Sequence, residues 1–192
     1  MKKEVVKEID RIIKETWVKN IAPDYDADHL LKEGSLQCGM YYHLRRKLSK
    51  ILQENNLRIY PEFWISELQY SADLAIVEID RENLELPMRD RVKDVIAILE
   101  LKYKGGNSQR VEEEIKHDRQ KLKNYFQIAK LDCQYYLAVI YETQCSSLNW
   151  LGRRSTENWA KGHVSELDAG YLDGEMWFKV NSYNDMNLDI KG

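Results

Sequence analysis

The sequence is poor in the residues that mark disulfide-stapled and zinc-binding proteins. Its three cysteines, Cys38, Cys133 and Cys145, lie far apart and form no Cys-x-x-Cys pair. That argues against a disulfide framework and against a zinc knuckle. The histidines show no metal-ligand spacing either. This cysteine usage is typical of the reducing cytoplasm, which is the location we predict.

Long apolar runs and linkers are also missing. No stretch approaches the roughly 20 apolar residues that a transmembrane helix needs, and the run from Val95 to Leu99 is a short one. No internal repeat, low-complexity tract or linker rich in Pro, Gly or Ser is present. We therefore predict a single domain over residues 1–192 and no membrane partner.

The formal net charge of −3 is not that of a protein that coats nucleic acid regardless of sequence. An enzyme acting on nucleic acid is still compatible with it, because local basic strips and bound metal ions can hold phosphate. One group of basic residues lies between positions 102 and 123, and a second lies between positions 43 and 50. Their members are Lys102, Lys104, Arg110, Lys116, Arg119, Lys121 and Lys123, then His43, Arg45, Arg46, Lys47 and Lys50.

Hydrophobic periodicity predicts two helices at the start of the chain. Apolar residues recur at helical spacing between Lys3 and Val18, and a turn-rich segment follows. A second stripe begins after Ser35, which we expect to be its N-cap. Its members are Leu36, Met40, Tyr41, Leu44, Leu48, Ile51 and Leu52.

The pattern then changes to that of strands. Segments rich in Ile, Val and aromatic residues predict strands from Arg58 to Ile65, Ser71 to Ile79 and Val92 to Lys102. A helix from about Ser108 to Ala129 and a buried strand, QYYLAVIYE, come next. Asp173-Gly174 indicates a C-terminal hairpin. The order favours an α/β fold, with a mixed central sheet flanked by helices.

Charged residues interrupt two of these strands. Alternation along VIAILELKYK places Ile96, Ile98, Glu100 and Lys102 on one face of the third strand. Asp73 lies among apolar neighbours in the second strand. Burying such groups costs several kcal/mol unless partners compensate the charge. Two acids and a lysine on neighbouring strands therefore need an explanation.

Phosphodiester hydrolysis supplies one. Mg²⁺ prefers carboxylate oxygens and keeps several waters, so two acids can hold one or two ions against a phosphate. The metal lowers the pKa of a bound water and offsets charge on the phosphorus. A lysine two residues beyond the acid is placed to orient that water or to stabilise the developing charge.

Asp73 followed by Glu100-Leu101-Lys102 resembles the D…(D/E)-x-K signature of the PD-(D/E)XK nuclease superfamily. The matching core would run over about residues 36–141, as helix, three-stranded meander, helix and strand, the restriction-endonuclease-like αβββαβ order. The N-terminal helix and the C-terminal hairpin would be additions to it. The resemblance implies that Asp73 and Glu100 bind Mg²⁺ or Mn²⁺ and that Lys102 assists the attack.

The sequence departs from the family pattern in two places. Residue 72 is Ala where the family name has Pro, at a position without a chemical role. The family often adds an acid from the first core helix, and here that ligand is open. Gln37 and Glu62 are equal candidates for the metal shell, and Glu33 ranks below them because it precedes Gly34 and could lie outside the helix.

The helix after the third strand contains a second signal. Asp118-x-x-Lys121-Leu122 resembles a D-x-x-K-L pattern of several families in this superfamily. It implies that Lys121 approaches the substrate phosphate and that Asp118 holds a neighbouring cation. With these two residues we assign Lys104 and Arg110 to substrate binding.

The resulting prediction is a metal-dependent nuclease that hydrolyses phosphodiester bonds of DNA. The alternative is an inactive member of the same fold that binds nucleic acid or protein, and Gln37 in place of an acid favours it. A weaker alternative is an unrelated α/β module that binds a small molecule or a protein. A homodimer is compatible with the resemblance, because nucleases that cut both strands commonly dimerise. The sequence does not distinguish DNA from RNA, or internal from terminal cleavage.

Overall fold

The computed structural model describes residues 3–105, 111–152 and 159–184, with the backbone alone at 111 and 112. Four helices come first, three strands follow, and a fifth helix then precedes three further strands; a π-helical turn and a 3₁₀ turn lie among them. In order they are α1 (Lys3–Thr16), a π-helical turn (Trp17–Ile21), α2 (Ala22–Asp26), α3 (Glu33–Lys47), α4 (Ser49–Glu54), β1 (Leu57–Ile65), β2 (Tyr70–Ile79), a 3₁₀ turn (Met88–Arg91), β3 (Val92–Gly105), α5 (Val111–Gln127), β4 (Gln134–Gln144), β5 (Val164–Leu172) and β6 (Glu175–Ser182).

All six strands form one sheet in the order β1-β2-β3-β4-β5-β6. The first three strands make an antiparallel meander, β4 and β5 continue parallel to β3, and β6 returns antiparallel. A parallel neighbour requires a crossover, and α5 provides it between β3 and β4. The predicted α/β class, with a mixed sheet flanked by helices, is therefore confirmed.

Helices cover both faces of the sheet. On one face α1 and α3 bury apolar residues such as Ile13 and Met40 against Leu74 and Leu99. On the other face α5 packs Leu122 against the other side of the same strands. Because both faces are covered, the central strands are apolar almost throughout. Charged groups in them are consequently buried between sheet and helix.

The predicted strands agree closely with the observed ones, and two local predictions at the N-terminal end are wrong. The prediction of a turn-rich segment after the first helix is wrong for residues 21–26, where helical structure continues through Ile21 and α2, whereas residues 27–32 do lie outside helices. Ser35 is not an N-cap, because α3 begins at Glu33. Its hydroxyl accepts hydrogen bonds from the backbone N–H groups of Leu31 and Lys32 and donates one to the carbonyl of Lys32.

A bulge also corrects the predicted alternation in β3. Ile76 pairs with Ala97 but Val77 pairs with Val95, so Ile96 is an extra residue on β3. Ile96 belongs to the apolar cluster under α1 and α3, whereas Ile98 belongs to the cluster under α5. The alternation predicted from Ile96 to Lys102 therefore holds only beyond the bulge.

At the Asp173-Gly174 turn, β5 joins β6 in the predicted hairpin, and both turn residues have positive φ, 52° and 90°. None of the helices in the described ranges is long and apolar enough to cross a membrane.

Trp17 is the residue through which the N-terminal helices hold the sheet. It is fully buried, its Nε1 donates to the carbonyl of Asp168 at 3.1 Å, and its ring centroid lies 5.4 Å from that of Phe178.

We expect Trp17→Ala to lower the free energy of unfolding by about 3–5 kcal/mol in urea denaturation. The control Trp64→Ala removes a ring that is 53% exposed and should change it by about 0.5 kcal/mol or less. Equal losses in the two variants would contradict this role.

Candidate active site

The polar groups on the middle strands form one row across the sheet. In the antiparallel ladder Leu74 pairs with Leu99, so Asp73 lies opposite Glu100. Pro61 pairs with Leu74 and Phe63 with Ala72, so Glu62 lies opposite Asp73. Directly opposed residues share a face and are close together. The register therefore places Glu62, Asp73 and Glu100 in one row across β1, β2 and β3, and within that row the charge of Asp73 raises the pKa of Glu100.

Asp73 is held by the backbone of the neighbouring strand. Its Oδ2 accepts a hydrogen bond of 2.6 Å from the backbone N–H of Leu101. Burial raises the pKa of this carboxyl to about 6, although the Leu101 hydrogen bond and the charge of Lys121 act against the rise. Within the described residues Oδ1 has no hydrogen-bond donor. Asp73 thus keeps an oxygen available to a cation.

Glu100 is completely buried, and α5 supplies both of its partners. Lys121 forms an ion pair with Oε2, and the hydroxyl of Tyr125 donates to Oε1 at 2.6 Å. Burial, and then the charge of Asp73, raise the pKa of Glu100 to about 8, while Lys121 and Tyr125 lower it. The two donors therefore compensate the buried charge only in part.

Lys102 connects the two helical layers. Its Nζ lies 2.9 Å from Oε2 of Glu33 on α3 and 3.3 Å from Oδ2 of Asp118 on α5. Burial alone would lower the pKa of Lys102, but the two carboxylates outweigh burial and raise it. Lys102 is therefore an ammonium at neutral pH and acts as a fixed positive charge, not as a base.

Gln37 and Glu62, the two equal candidates for the metal shell, contact each other. Nε2 of Gln37 donates to Oε1 of Glu62 at 2.7 Å and to the backbone carbonyl of Asp73 at 2.8 Å. Glu62 has a φ of 49°, a left-handed conformation that is uncommon outside glycine and often found at functional sites. Glu33, ranked lower from the sequence, is the first residue of α3; its carboxylate pairs with Lys102, and its charge also raises the pKa of Asp73.

Of the four residues assigned to substrate binding, the three that the structure describes each form an ion pair within the protein. Asp118 is buried and holds a cation, the ammonium of Lys102, in an ion pair without hydrogen-bond alignment. Lys121 points to Glu100. Lys104 is partly buried and pairs with Glu114. Arg110 lies outside the described residues.

Tyr125 is the contact that sequence reasoning missed. Its spacing from Ile115 and Leu122 predicts a residue that packs inward, yet its hydroxyl is one of two donors to Glu100. Its position one turn after Lys121 was the available signal, because a buried tyrosine hydroxyl usually has a polar partner.

A second pair of buried acids lies farther along the sheet, on β5. Glu166 accepts from the backbone N–H of Leu151 at 2.5 Å and from the hydroxyl of Tyr183 at 3.1 Å. Asp168 accepts from Nδ2 of Asn181 at 2.7 Å. Burial raises the pKa of both carboxyls. These donors tie β5 to its neighbours, and among the described residues Oδ1 of Asp168 has no hydrogen-bond partner.

The donor set of the active-site row suits a hard divalent cation. Asp73, Glu100 and Glu62 offer carboxylate oxygens, and these are the ligands that Mg²⁺ and Mn²⁺ prefer. The raised pKa values of Asp73 and Glu100 show incompletely compensated negative charge, which a cation would offset. The described part of the chain nevertheless contains no ready cluster of three His, Cys, Asp or Glu ligands. Lys121 occupies the position beside Glu100 as its ion-pair partner.

Comparison of the chain with protein-family models, with curated proteins and with solved structures found no match. The arrangement of the chain's own residues is therefore the basis of the functional argument.

The raised carboxyl pKa values predict how stability depends on pH without metal. A carboxyl whose folded pKa exceeds its unfolded value stabilises the fold while protonated and loses that contribution as pH rises through the folded pKa. We expect the unfolding free energy in EDTA to fall between about pH 5 and pH 8, by up to about 1.4 kcal/mol per pH unit for each proton retained.

The difference between variants isolates Glu100, because Glu166 and Asp168 act in the same direction. Urea denaturation at pH 5.5, 7.0 and 8.5 should show a shallower decline in Glu100→Gln than in wild type. The exposed control Glu67→Gln should decline like wild type. A Glu100→Gln protein with the full wild-type decline would contradict the assignment.

Proposed function

We propose that this protein is a Mg²⁺- or Mn²⁺-dependent nuclease of the PD-(D/E)XK type that hydrolyses phosphodiester bonds of DNA. The principal observation behind the proposal is the placement of Asp73 opposite Glu100, with the ammonium of Lys102 two residues farther along β3. Two acids and a fixed positive charge are the groups that metal-assisted attack on a phosphate requires.

The topology supports the same proposal. Helices α3 and α4 precede the antiparallel meander β1 to β3, and α5 then leads to β4, which is parallel to β3. This is the αβββαβ order that the resemblance implies. The acids also lie on the strands where the signature would place them, Asp73 on β2 and Glu100 on β3.

In this proposal Asp73 and Glu100 would hold the metal, with Glu62 or the amide oxygen of Gln37 beside them. The bound metal would lower the pKa of a water and offset negative charge on the phosphate. The hydrogen bond from Leu101 fixes Asp73, which leaves Oδ1 to the cation. The hydrogen bond from Gln37 to Glu62 supports treating the two residues as neighbours in the proposed shell.

Lys102 is proposed to orient the attacking water or to stabilise charge developing on the phosphate. Glu33 and Asp118 keep it protonated and fix its position from opposite sides of the sheet. A pre-positioned ammonium needs no reorganisation when charge develops. Lys121, now paired with Glu100, would become available to the phosphate once a divalent ion takes over that carboxylate.

A second candidate is an inactive member of the same fold that binds nucleic acid or protein. Gln37 provides no charge where the family often has an acid, and both oxygens of Glu100 already have protein donors. A relative that binds no metal would need protein donors of this kind to offset the buried charge of Glu100. The two candidates differ in metal binding and cleavage, which are measurable.

Cleavage of single-stranded DNA, double-stranded DNA and RNA in Mn²⁺ tests the nuclease proposal. We expect Asp73→Asn, Glu100→Gln and Lys102→Ala each to lower the rate by about 100-fold or more, because each removes stabilisation present mainly in the transition state. Lys93→Ala is the matched control on the same strand, since Lys93 is exposed and pairs with Asp80 at 3.4 Å. Wild-type protein that cuts none of these substrates would refute the nuclease proposal, and a Lys102→Ala protein that cuts at the wild-type rate would refute the role of Lys102.

Gln37→Glu tests the open ligand position by calorimetric titration with Mn²⁺. We expect the affinity to rise by about tenfold, because a carboxylate would replace a neutral amide beside Asp73. The matched control, Gln53→Glu on α4, adds the same charge at an exposed site and should leave the affinity unchanged. The placement of Gln37 in the metal shell fails if the two variants bind alike. Absence of Mn²⁺ binding in wild type would favour the inactive relative.

A further inference from the structure

Helix α3 presents two tyrosines, each paired with an arginine one turn later; Tyr42 is exposed, and Tyr41 is half-buried with part of its ring against the core. Nη1 of Arg45 donates to the hydroxyl of Tyr41 at 3.0 Å, and Nη1 of Arg46 donates to the hydroxyl of Tyr42 at 2.9 Å. The guanidinium carbons lie 5.6 Å and 5.4 Å from the corresponding ring centroids. We call these four residues the Tyr-Arg ladder. The pairing holds two long cationic side chains in place over aromatic rings.

The ladder lines a shallow surface groove. Its volume is about 540 Å³, and Ser49 completes the lining. Tyr42 is 53% exposed, and both arginines are exposed. Most tyrosine rings in a chain with such a large core are packed against protein, so the exposed ring of Tyr42 is an exception. Rings and guanidinium groups are therefore jointly accessible to a partner.

The charge around the groove is one-sided although the chain as a whole has a net charge of −3. Residues 34–53 contain no Asp or Glu, whereas Arg45, Arg46, Lys47 and Lys50 are all basic. In the part of the chain that the structure describes, no carboxylate forms an ion pair with either ladder arginine. Lys50 pairs with Glu54 at 3.9 Å, so the excess positive charge belongs mainly to the two ladder arginines. Such a local basic surface on an acidic protein favours a polyanionic partner.

The same helix leads to the active site. Gln37, Tyr41 and Arg45 are spaced four residues apart, so they follow one stripe along α3. Eight residues of helix span about 12 Å, which corresponds to three or four stacked nucleotides at about 3.4 Å each. A strand with one phosphate at Asp73 and Glu100 would thus have later nucleotides at the ladder.

We propose that the Tyr-Arg ladder binds a single-stranded segment of nucleic acid that extends from the active site along α3. Bases stack on Tyr41 and Tyr42, and phosphates pair with Arg45 and Arg46. Stacking on exposed rings requires unpaired bases, because a duplex covers their faces. The direction of the strand rests on the proposed function, whereas binding at the ladder can be measured without cleavage.

Fluorescence anisotropy with a labelled 12-nucleotide oligo-dT in EDTA tests the ladder on the full chain. We expect the double variant Arg45→Ala, Arg46→Ala to bind at least about tenfold more weakly. Its slope of log affinity against log salt should become shallower by about 1.4, the value for two phosphate contacts on a single strand. Tyr42→Ala should weaken binding about five- to 100-fold, the effect of losing one stacked base, and Tyr42→Trp should retain it.

The matched control is Lys3→Ala, Lys7→Ala on α1, which removes the same charge from another exposed surface and should leave binding unchanged. Thermal melting checks that every variant is folded. Ladder variants that bind oligo-dT as tightly as wild type would overturn the proposal. So would equally tight binding of a 12-base-pair duplex with no effect of Tyr42→Ala, or binding of polyglutamate or anionic vesicles without binding of oligo-dT.

The two proposals fail in distinguishable ways. If oligo-dT binds through the ladder but no nucleic acid is cut in Mn²⁺, the nuclease proposal fails and the ladder stands. If wild type cuts while the ladder variants bind oligo-dT like wild type, the ladder fails and the nuclease proposal stands.

Discussion

The burial of Glu100 between β3 and α5 is the constraint on which the rest of the site depends. A carboxylate placed in an apolar strand must be compensated, and Lys121 and Tyr125 provide the compensation from successive turns of α5. This requirement fixes the position of α5 over the sheet at that point. The compensation is incomplete, as the raised pKa of Glu100 shows. A buried carboxylate whose negative charge is only partly offset does little to stabilise a fold. It is, however, an environment in which a bound cation would be favourable.

The ammonium of Lys102 connects the site to the helices on the other face of the sheet as well. Lys102 lies between Glu33 of α3 and Asp118 of α5, so both helices contact the site through one ammonium. Gln37 adds a further contact from α3 to Glu62 and to the backbone of Asp73. The geometry of the proposed centre therefore depends on both layers at once. On α3, the helix that contributes Glu33 and Gln37, the Tyr-Arg ladder continues away from this centre.

Much of this arrangement was predictable because it follows from local patterns. Runs of β-branched and aromatic residues predicted β1 to β4, and Asp73 and Glu100 stood out as acids within those runs. Contacts between distant segments were not predictable in the same way. The bulge at Ile96 depends on pairing with β2, and the donation from Tyr125 to Glu100 depends on how α5 packs. The meeting of Gln37 and Glu62 likewise requires the left-handed backbone at Glu62, which no turn-forming glycine signals.

The central claim is that Asp73 and Glu100 form a divalent-metal centre in which Lys121 compensates Glu100 until the ion binds. A crystal structure determined in Mn²⁺, with anomalous data collected to locate the ion, tests it most directly. The account predicts Mn²⁺ bound by Asp73 and Glu100, with Glu62 or Gln37 beside it and the ammonium of Lys121 moved away from Glu100. An anomalous map without a peak there, with Lys121 still paired to Glu100, would contradict it.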